Sequence, residues 1–569
     1  MKAYDHSKYR PAPTVPMVHR QWPDRSLERA PIWVSVDLRD GNQALIEPMS
    51  VAQKREMWSL LIKLGFKQIE VGFPSASQQD HDFIRWLIEE DQIPEDITVQ
   101  VLVQAREHLI RRSFETLRGA RRAIMHVYNS TSRVQRERVF GKDKSGITEI
   151  AHNGAQWVAR EATRYPETEW IFEYTPESFT STETDYAVEI CEAVLNVWQP
   201  TPDHPCILNL PTTVEVASPN VFADQVEYFS NHISRRDSVL LSVHTHNDRG
   251  CAIAAAELAI LAGADRVEGT LLGNGERTGN MDILTLAMNL YSQGIDPKLD
   301  LSNPDEIIQT YTRCTGLPVH PRHPWIGELV YTAFSGSHQD AIRKCLQQQC
   351  PDEPWQVAYL PIDPADLGRD YQAVVRVNSQ SGKGGVAFVL ERDYGLTLPR
   401  WIQIELAQQV QRESEMYGGE VDSSTIHRLF MNNFVEIASN PCLIGYRLDR
   451  SNGVDIIKAS IIEAGGESLI QGQGEGALSA FVEAWQRHSG QQLAVVDYSE
   501  HAIGSGTDAK AAAYVRLNVD GRWVSGAAMD QDTVSASLMA VMAAINRARR
   551  LSTTGELRAA TANEGDPCC

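Results

Sequence analysis

Residues 32–43 read IWVSVDLRDGNQ, a short apolar run that ends in a cluster of polar side chains. The same pattern recurs in the first half of the chain, where each apolar run precedes a segment long enough for a crossover helix. The eight runs are Ile32–Leu38, Gln68–Phe73, Thr98–Val103, Ala123–Tyr128, Trp170–Tyr174, Cys206–Leu210, Val239–Val243 and Arg266–Leu271. Such alternation is typical of parallel strands covered on both faces. The pattern predicts an α/β fold built on a (β/α)8 TIM barrel, with a doubly wound open sheet as the alternative.

The composition limits the class of protein. Of 569 residues, 42% are hydrophobic and 22% are charged, as in ordinary globular proteins. The 53 Lys and Arg against 74 Asp and Glu leave a net charge of −21, which argues against nucleic acid or an anionic membrane as a partner. No apolar stretch approaches the ~18 residues of a membrane-spanning helix. The nine cysteines are scattered without a CxxC pair, which is typical of reduced thiols and favours a cytoplasmic location.

Polar side chains crowd the ends of most of the predicted strands, where the catalytic groups of a TIM barrel lie. In chain order these candidates are Arg39, Asp40, His126, Thr175, Glu177, Asn209, Pro211, Thr213, His244, His246 and Asn280. Glu177 is a candidate acid or base, although a carboxylate just after Pro176 also suits the first turn of a helix. Glu173 is the second choice, since a glutamate within a strand can equally be buried and ion-paired.

Three of these residues have the chemistry of a metal site. His244 and His246 are two apart on a predicted strand, so both rings point to the same side. Asp40 would add a carboxylate across the barrel mouth. Two imidazoles and one carboxylate leave open positions on a divalent ion, as catalysis requires. Asn280 could add an amide oxygen or simply be a turn residue, and the ligand set does not decide between Mg²⁺, Mn²⁺ and Zn²⁺.

Arg39 adjoins the predicted ligand Asp40. Its guanidinium could face an oxygen whose negative charge grows during the reaction, or it could be a salt-bridge partner that orients Asp40.

The rest of the chain suggests further segments. We expect an N-terminal arm over residues 1–30, the catalytic barrel over 31–318, linker subdomains over 319–430, a regulatory domain over 431–551 and a disordered tail over 552–569. Gly382–Gly385 looks like a flexible loop, and a helix is predicted near 400–417. Within the regulatory domain a weak repeat of two strands and a helix appears twice, beginning at Val454 and at Ala509. This repeat predicts a pseudo-symmetric α+β unit.

Three motifs carry a resemblance to a known family. LRDGNQ at 38–43, HTHND at 244–248 and GNGERTGN at 273–280 resemble the metal-dependent acyl-CoA Claisen-condensing barrel enzymes, which include homocitrate and citramalate synthases. LRDGNQAL at 38–45, YTPESFT at 174–180 and NSQSGKGG at 378–385 are similar to the long, leucine-regulated 2-isopropylmalate synthases in particular. The resemblance covers nearly the whole chain. It implies condensation of acetyl-CoA with 3-methyl-2-oxobutanoate, the committed step toward leucine.

The resemblance also implies residue roles. Asp40, His244 and His246 would bind the divalent ion, expected to be Mg²⁺, with Asn280 near it. His126, Thr175, Asn209, Pro211 and Thr213 would line the keto-acid pocket. Glu177 would be catalytic together with His338 and Tyr371 of the linker. This agrees with the chemistry of the residues, because removing a weakly acidic methyl proton needs a positioned base and a stabilised enolate. From the sequence alone, His338 reads as an exposed linker histidine.

The implied partners are the two substrates, leucine as an allosteric inhibitor, and a second copy of the chain whose linker is swapped over the barrel. One departure concerns Gly526-Ala527-Ala528, where the family usually carries a Gly-x-Gly turn; alanine lacks the positive-φ freedom of glycine. Three alternatives stay open: homocitrate or citramalate synthase, a biotin-dependent carboxyltransferase, and an amino-acid sensor with an inactive barrel. The missing Met-Lys-Met biotin site weakens the second, and the complete polar set weakens the third.

Overall fold

The computed structural model describes residues 5–369, 383–417, 421–437, 441–451, 453–504, 506 and 509–553. The chain forms two compact units. The first comprises Met1–Val330 and Asp366–Gly368, and the second comprises Tyr331–Ala365 and Arg369–Cys569. Within the described ranges, no helix is both long and apolar enough to cross a membrane.

The first unit contains a closed barrel of eight parallel strands, which confirms the predicted fold. The strands are β1 (Ile32–Ser35), β2 (Gln68–Gly72), β3 (Thr98–Gln104), β4 (Arg122–Ser130), β5 (Glu169–Glu177), β6 (Cys206–Thr212), β7 (Val239–Thr245) and β8 (Arg266–Gly269). β1 pairs in parallel with both β2 and β8, with Ile32 opposite Arg266. This closure excludes the open doubly wound sheet.

Helices follow the strands around the barrel. They are α1 (Val51–Leu64), α2 (Gln78–Glu89), α3 (Glu107–Leu117), α4 (Arg133–Gln135), α5 (Lys144–Ala162), α6 (Thr184–Trp198), α7 (Pro219–His232), α8 (Ala252–Leu261), α9 (Ile283–Tyr291) and α10 (Pro304–Thr315). Local capping interactions explain where these helices begin and end, as α1 shows. Ser50 and Gln53 form a reciprocal capping box at the start of α1, and Gly65 ends that helix with φ +100°.

β1 is shorter than the apolar run that predicts it. The strand stops at Ser35, and Asp37–Gly41 form a π-helical turn instead of continuing the strand. The buried Asp37 carboxylate fixes this turn by accepting the backbone N–H of Leu271 at 3.0 Å and the Ser35 hydroxyl at 2.7 Å. The turn thereby places Arg39 and Asp40 at the rim of the barrel.

The described part of the N-terminal arm is tied to helix α7. Arg20 forms an ion pair with Asp224 at 2.7 Å, and the indole N–H of Trp22 donates to the same carboxylate at 3.0 Å. The backbone N–H groups of Gln21 and Trp22 donate to Glu227. Both acids are buried, so the arm satisfies two carboxylates that would otherwise lie unpaired on the barrel wall.

Among its described residues, the second unit begins with four α-helices, α11 (Gly336–Gln348), α12 (Lys383–Tyr394), α13 (Arg400–Tyr417) and α14 (Ser423–Phe430). The helix predicted near 400–417 is present as α13. The prediction of a flexible loop at Gly382–Gly385 is wrong for its described residues, because Lys383, Gly384 and Gly385 form the first turn of α12. Gly385 is buried, and a Cβ there would lie 1.8 Å from the Gln339 amide oxygen of α11. Close helix packing therefore accounts for this glycine.

Two similar α+β halves complete the second unit. The first half contains β9 (Cys442–Ser451), β10 (Val454–Glu463), β11 (Gly466–Gly474) and α15 (Ala477–Ser489), and the second contains β12 (Leu493–Ile503), β13 (Lys510–Val519), β14 (Arg522–Asp530) and α16 (Thr533–Thr553). The strands form two antiparallel sheets ordered β11-β10-β9 and β12-β13-β14. The predicted repeat is present, but its two-strand description is wrong, since each half also has an edge strand, β9 or β12.

The expected turn at Gly526-Ala527-Ala528 is wrong as well. All three residues lie inside β14, opposite Val515, Tyr514 and Ala513 of β13. A Cβ at Gly526 would lie 2.4 Å from the backbone nitrogen of Ala544, so glycine is needed there for the close approach of α16. An extended strand places no positive-φ demand on Ala528. The residues of the predicted tail beyond Thr553 lie outside the described ranges.

Candidate active site

A cavity of about 680 Å³ opens at the carboxyl ends of the barrel strands. Ten of the barrel residues singled out from the sequence line it: Arg39, Asp40, His126, Thr175, Glu177, Asn209, Pro211, Thr213, His244 and His246. The predicted convergence of strand ends on one site is therefore present. The eleventh, Asn280, is buried beside His244.

Asp40, His244 and His246 lie together on the wall of this cavity. Asp40 Oδ2 is 3.4 Å from His244 Nε2 and 3.3 Å from His246 Nε2. All three side chains are buried. Within the described part of the chain, Asp40 Oδ2 and His246 Nε2 make no hydrogen bond. Buried polar atoms are rarely left unpaired, and these face one another at the spacing of neighbouring ligands on one ion. The group fits a divalent cation.

His244 differs from His246 in having a partner for each ring nitrogen. Its Nε2 is 2.8 Å from the amide oxygen of Asn280, while its Nδ1 is 2.8 Å from Glu268. Burial alone lowers the pKa of His244, but its contacts with Asp40 and Glu268 and their negative charges raise it to about 10. The ring therefore keeps both protons unless a metal replaces the one on Nε2. Asn280 is thus placed beside the ligands rather than in an isolated turn.

Arg39 bridges two carboxylates beneath the cavity. Its Nη1 donates to Asp40 Oδ1 at 3.0 Å, and its Nε donates to the fully buried Glu70. Burial opposes the charge, but Glu70 and Asp40 outweigh it and hold the pKa of Arg39 above its usual range. Burial likewise raises the pKa of Asp40, yet Arg39 and the two imidazoles hold it well below its usual range. Arg39 is therefore both a salt-bridge partner of Asp40 and a fixed cation at the cavity wall.

A second buried group, Glu70, His126 and Glu268, also has the composition of a metal site. Here the ligand atoms already have partners. Glu70 accepts from Arg39 and from Gln100 at 2.7 Å, and His126 contacts Glu70 at 3.1 Å. Because the positive charges of Arg39 and of Arg266, 2.9 Å from Glu268, compensate the carboxylates, this group is an internal polar network and needs no ion.

Glu177 ends β5 and faces the cavity with one oxygen bonded to Ser130. Its backbone is fixed because the Glu177 carbonyl accepts the N–H and the hydroxyl of Thr131, each at 3.0 Å. Glu173 lies deeper and is fully buried beside Arg266 at 3.2 Å. Burial raises the pKa of Glu173 to about 7 despite the nearby Arg266 charge. The structure thus separates the two glutamates, and only Glu177 reaches the cavity.

Several cavity residues were not singled out from the sequence. They are Asn42, Gln43, Pro48, Phe73, Ala76, Ser77, Gln79, Asp80, Leu102, Gln104, Tyr128, Glu276 and Arg277. Most follow β2, β3 or β4, where the runs end in ordinary-looking residues. The interior glutamates Glu70 and Glu268 were also missed. A carboxylate in the middle of an apolar run indicates a buried polar network, so the sequence did contain a signal for them.

The linker candidates belong to the second unit. His338 lies in the first turn of α11, and its ring stacks on that of Tyr359 with centroids 3.9 Å apart. Tyr371 lies outside the described residues.

Three segments of the chain match known families. Residues 30–310 match the HMGL-like family, 328–391 the alpha-isopropylmalate synthase post-catalytic domain-like family, and 421–549 the LeuA allosteric (dimerisation) domain. The chain is 54% identical over 553 residues to the 2-isopropylmalate synthase of Alcanivorax borkumensis, covering 97% of this chain and 99% of that protein. It is also 54% identical to the 2-isopropylmalate synthase of Pseudomonas savastanoi pv. phaseolicola, covering 95% and 97% of the two chains.

Proposed function

This chain belongs to the 2-isopropylmalate synthase family, and from that premise we propose how its barrel condenses acetyl-CoA with 3-methyl-2-oxobutanoate. The products are 2-isopropylmalate and CoA, and the reaction commits carbon to leucine. The observation that carries the site assignment is the set of unpaired buried atoms of Asp40 and His246, which lie on the wall of the cavity that Arg39 and Glu177 also line.

The reaction consists of a condensation and a hydrolysis. A base removes a proton from the acetyl methyl group, and the resulting enolate carbon forms a bond to the keto carbon of the second substrate. The keto oxygen becomes an alkoxide and takes up a proton. Water then cleaves the thioester, which releases the CoA thiol and leaves the second carboxylate of the product. The chain must therefore supply a base, a site for the alkoxide and an ordered keto acid.

Asp40, His244 and His246 would hold a divalent ion, with Asn280 beside them. When bound, the ion polarises the keto group of the substrate and lowers the energy of negative charge on its oxygen. We expect Mg²⁺, with Mn²⁺ and Zn²⁺ as alternatives. Arg39 adds a second positive charge at the same wall. Glu70 holds the guanidinium in place, so no reorganisation is needed when the alkoxide forms.

Glu177 is the base that the barrel itself offers, because its carboxylate reaches the cavity and is held by Ser130. His126, Thr175, Asn209, Pro211 and Thr213 line the same cavity, which supports their assignment to the keto acid. We further assign His338 and Tyr371 of the linker to proton transfer, with the linker contributed to the barrel of a partner subunit. A match of residues 421–549 to the LeuA allosteric (dimerisation) domain supports a homodimer and inhibition by leucine. A cytoplasmic location stays a prediction.

The test is CoA release, followed with a thiol reagent. Purified enzyme with Mg²⁺ and acetyl-CoA is given 3-methyl-2-oxobutanoate, 2-oxoglutarate or pyruvate, with and without leucine. We expect the fastest turnover with 3-methyl-2-oxobutanoate and suppression by leucine. Preference for 2-oxoglutarate or pyruvate would instead identify a homocitrate or citramalate synthase, and release of no CoA with any keto acid would refute the proposed function.

A further inference from the structure

Glu268 lies in the interior of the barrel, directly across from the predicted ligand His244. The two residues are paired in the parallel register of β7 and β8, and Glu268 has no exposed surface. Its Oε2 accepts from His244 Nδ1 at 2.8 Å and from Asn209 Nδ2 at 3.2 Å. Its Oε1 accepts from Gln100 at 2.9 Å and from Arg266 at 2.9 Å. One carboxylate therefore contacts a predicted metal ligand and a predicted substrate residue.

These contacts decide which atoms face the cavity. An ionised carboxylate only accepts hydrogen bonds, so His244 Nδ1 carries a proton, and Nε2, which faces Asp40 and Asn280, is the nitrogen left for a metal. The same reasoning applies to Asn209. Its amide NH₂ donates to Glu268 and to Thr175 Oγ1 at 3.2 Å, which leaves its Oδ1 buried and unpaired among the described residues. Because Glu268 accepts from His244 Nδ1 and from the Asn209 amide NH₂, it directs the other nitrogen of His244 and the amide oxygen of Asn209 toward the site.

Arg266 fixes Glu268 in turn. The guanidinium is fully buried and donates to Ser242 Oγ at 2.9 Å and to Gln68 Oε1 at 2.7 Å as well as to Glu268. Its position is thus set by three strands of the barrel. This leaves the Glu268 carboxylate little freedom to rotate away from His244.

We propose that Glu268 is a positioning residue that sets the tautomer of His244 and the amide orientation of Asn209, and thereby couples the metal site to the keto-acid pocket. This inference rests on the proposed function for the roles of those two residues. In Glu268→Gln, the new amide can donate to His244 Nδ1. The single proton of the neutral ring would then lie on Nε2, where it blocks a metal.

The test is binding of Mn²⁺ to the purified full-length enzyme, measured by titration calorimetry in the absence of substrates. We expect Glu268→Gln to weaken Mn²⁺ binding by about 10–100-fold and to raise the KM for 3-methyl-2-oxobutanoate at saturating Mn²⁺. Glu161→Gln is the matched control, because it makes the same exchange at another buried glutamate, one that is paired with Arg164 at 2.8 Å and does not line the cavity. It should bind Mn²⁺ like the unaltered enzyme.

The absorption spectrum of the Co²⁺ enzyme gives a second readout, which we expect to change in Glu268→Gln and not in Glu161→Gln. If Glu268→Gln fails to fold, Glu268→Asp keeps the charge, shortens its reach and should weaken Mn²⁺ binding to a smaller degree. Unchanged Mn²⁺ affinity in either folded variant would overturn the inference. Failure of the unaltered enzyme to bind Mn²⁺ would instead refute the metal site of the proposed function, and the inference with it.

Discussion

Replacing Glu177 by glutamine tests the assignment of the barrel's base. The glutamine side chain has the same shape and can still accept the Ser130 hydrogen bond that holds Glu177. The backbone contacts of Glu177 to Thr131 do not involve the side chain. Glu177 also lies outside the group formed by Asp40, His244 and His246. The change therefore removes the basic oxygen and leaves the fold and the metal site intact.

The expected magnitude follows from what is removed. Loss of a positioned general base typically lowers the rate about 10²–10⁴-fold, equivalent to about 3–5 kcal/mol in the activation barrier. We expect kcat for CoA release to fall by that factor, while Mn²⁺ affinity and the KM for the keto acid change little. Exchange of the acetyl methyl protons with deuterium from solvent should slow in parallel, because that step needs the base directly.

The control for this experiment is Glu137→Gln. Glu137 is paired with Arg133 at 2.8 Å, and both side chains are exposed, so an exchange there should leave kcat unchanged. A Glu177→Gln enzyme that keeps both its CoA release and its methyl proton exchange would remove Glu177 from the mechanism and leave His338 as the only remaining assigned base.

Three further predictions concern the metal and the second unit. Asp40→Asn removes the anionic ligand, so Mn²⁺ affinity measured by calorimetry should fall by at least the ~10–100-fold that loss of a ligand's supporting partner costs; an unchanged affinity would place the ion elsewhere. Since the pKa of metal-free His244 is about 10, Mn²⁺ must displace a proton. Affinity should therefore rise with pH below that value, with proton release visible as a buffer-dependent heat, and a flat profile from pH 6 to 9 would contradict this. Gly526→Ala forces a Cβ against Ala544 and should lower the melting temperature of the second unit by several degrees, whereas Ala528→Gly, within the same strand, should leave leucine inhibition unchanged.

The barrel could be predicted from the sequence because its strands are covered on both faces and are therefore rich in apolar residues. β3 and β6 are almost entirely buried, and apolar residues form most of each strand. β9 and β12 were missed for the opposite reason. Both are sheet edges, and most of their residues are exposed or half-buried, so segments such as LIGYRLDRS carry no clear apolar pattern.

The sequence could predict the site residues that lie at the ends of strands. Asp40, His244 and His246 follow apolar runs, and parallel topology brings such ends together. The buried residues that position these side chains could not be predicted from strand ends. Glu70, Gln100 and Glu268 lie inside strands, and their partners come from different strands of the barrel. Pairing across a closed sheet depends on the register of all the intervening strands, which local sequence does not specify.

The turn at Asp37–Gly41 has a consequence for how the protein is made. Asp37 is anchored to the backbone of Leu271, 234 residues away along the chain, so the turn that carries Asp40 is held at the seam where the first and last strands of the barrel join. His244, His246 and Asn280 are also near the far end of the barrel sequence. A nascent chain therefore cannot assemble the ion site until its eighth strand has emerged and closed on the first. Uptake of the ion would then mark the end of barrel folding, and during synthesis the incomplete barrel would hold neither metal nor keto acid.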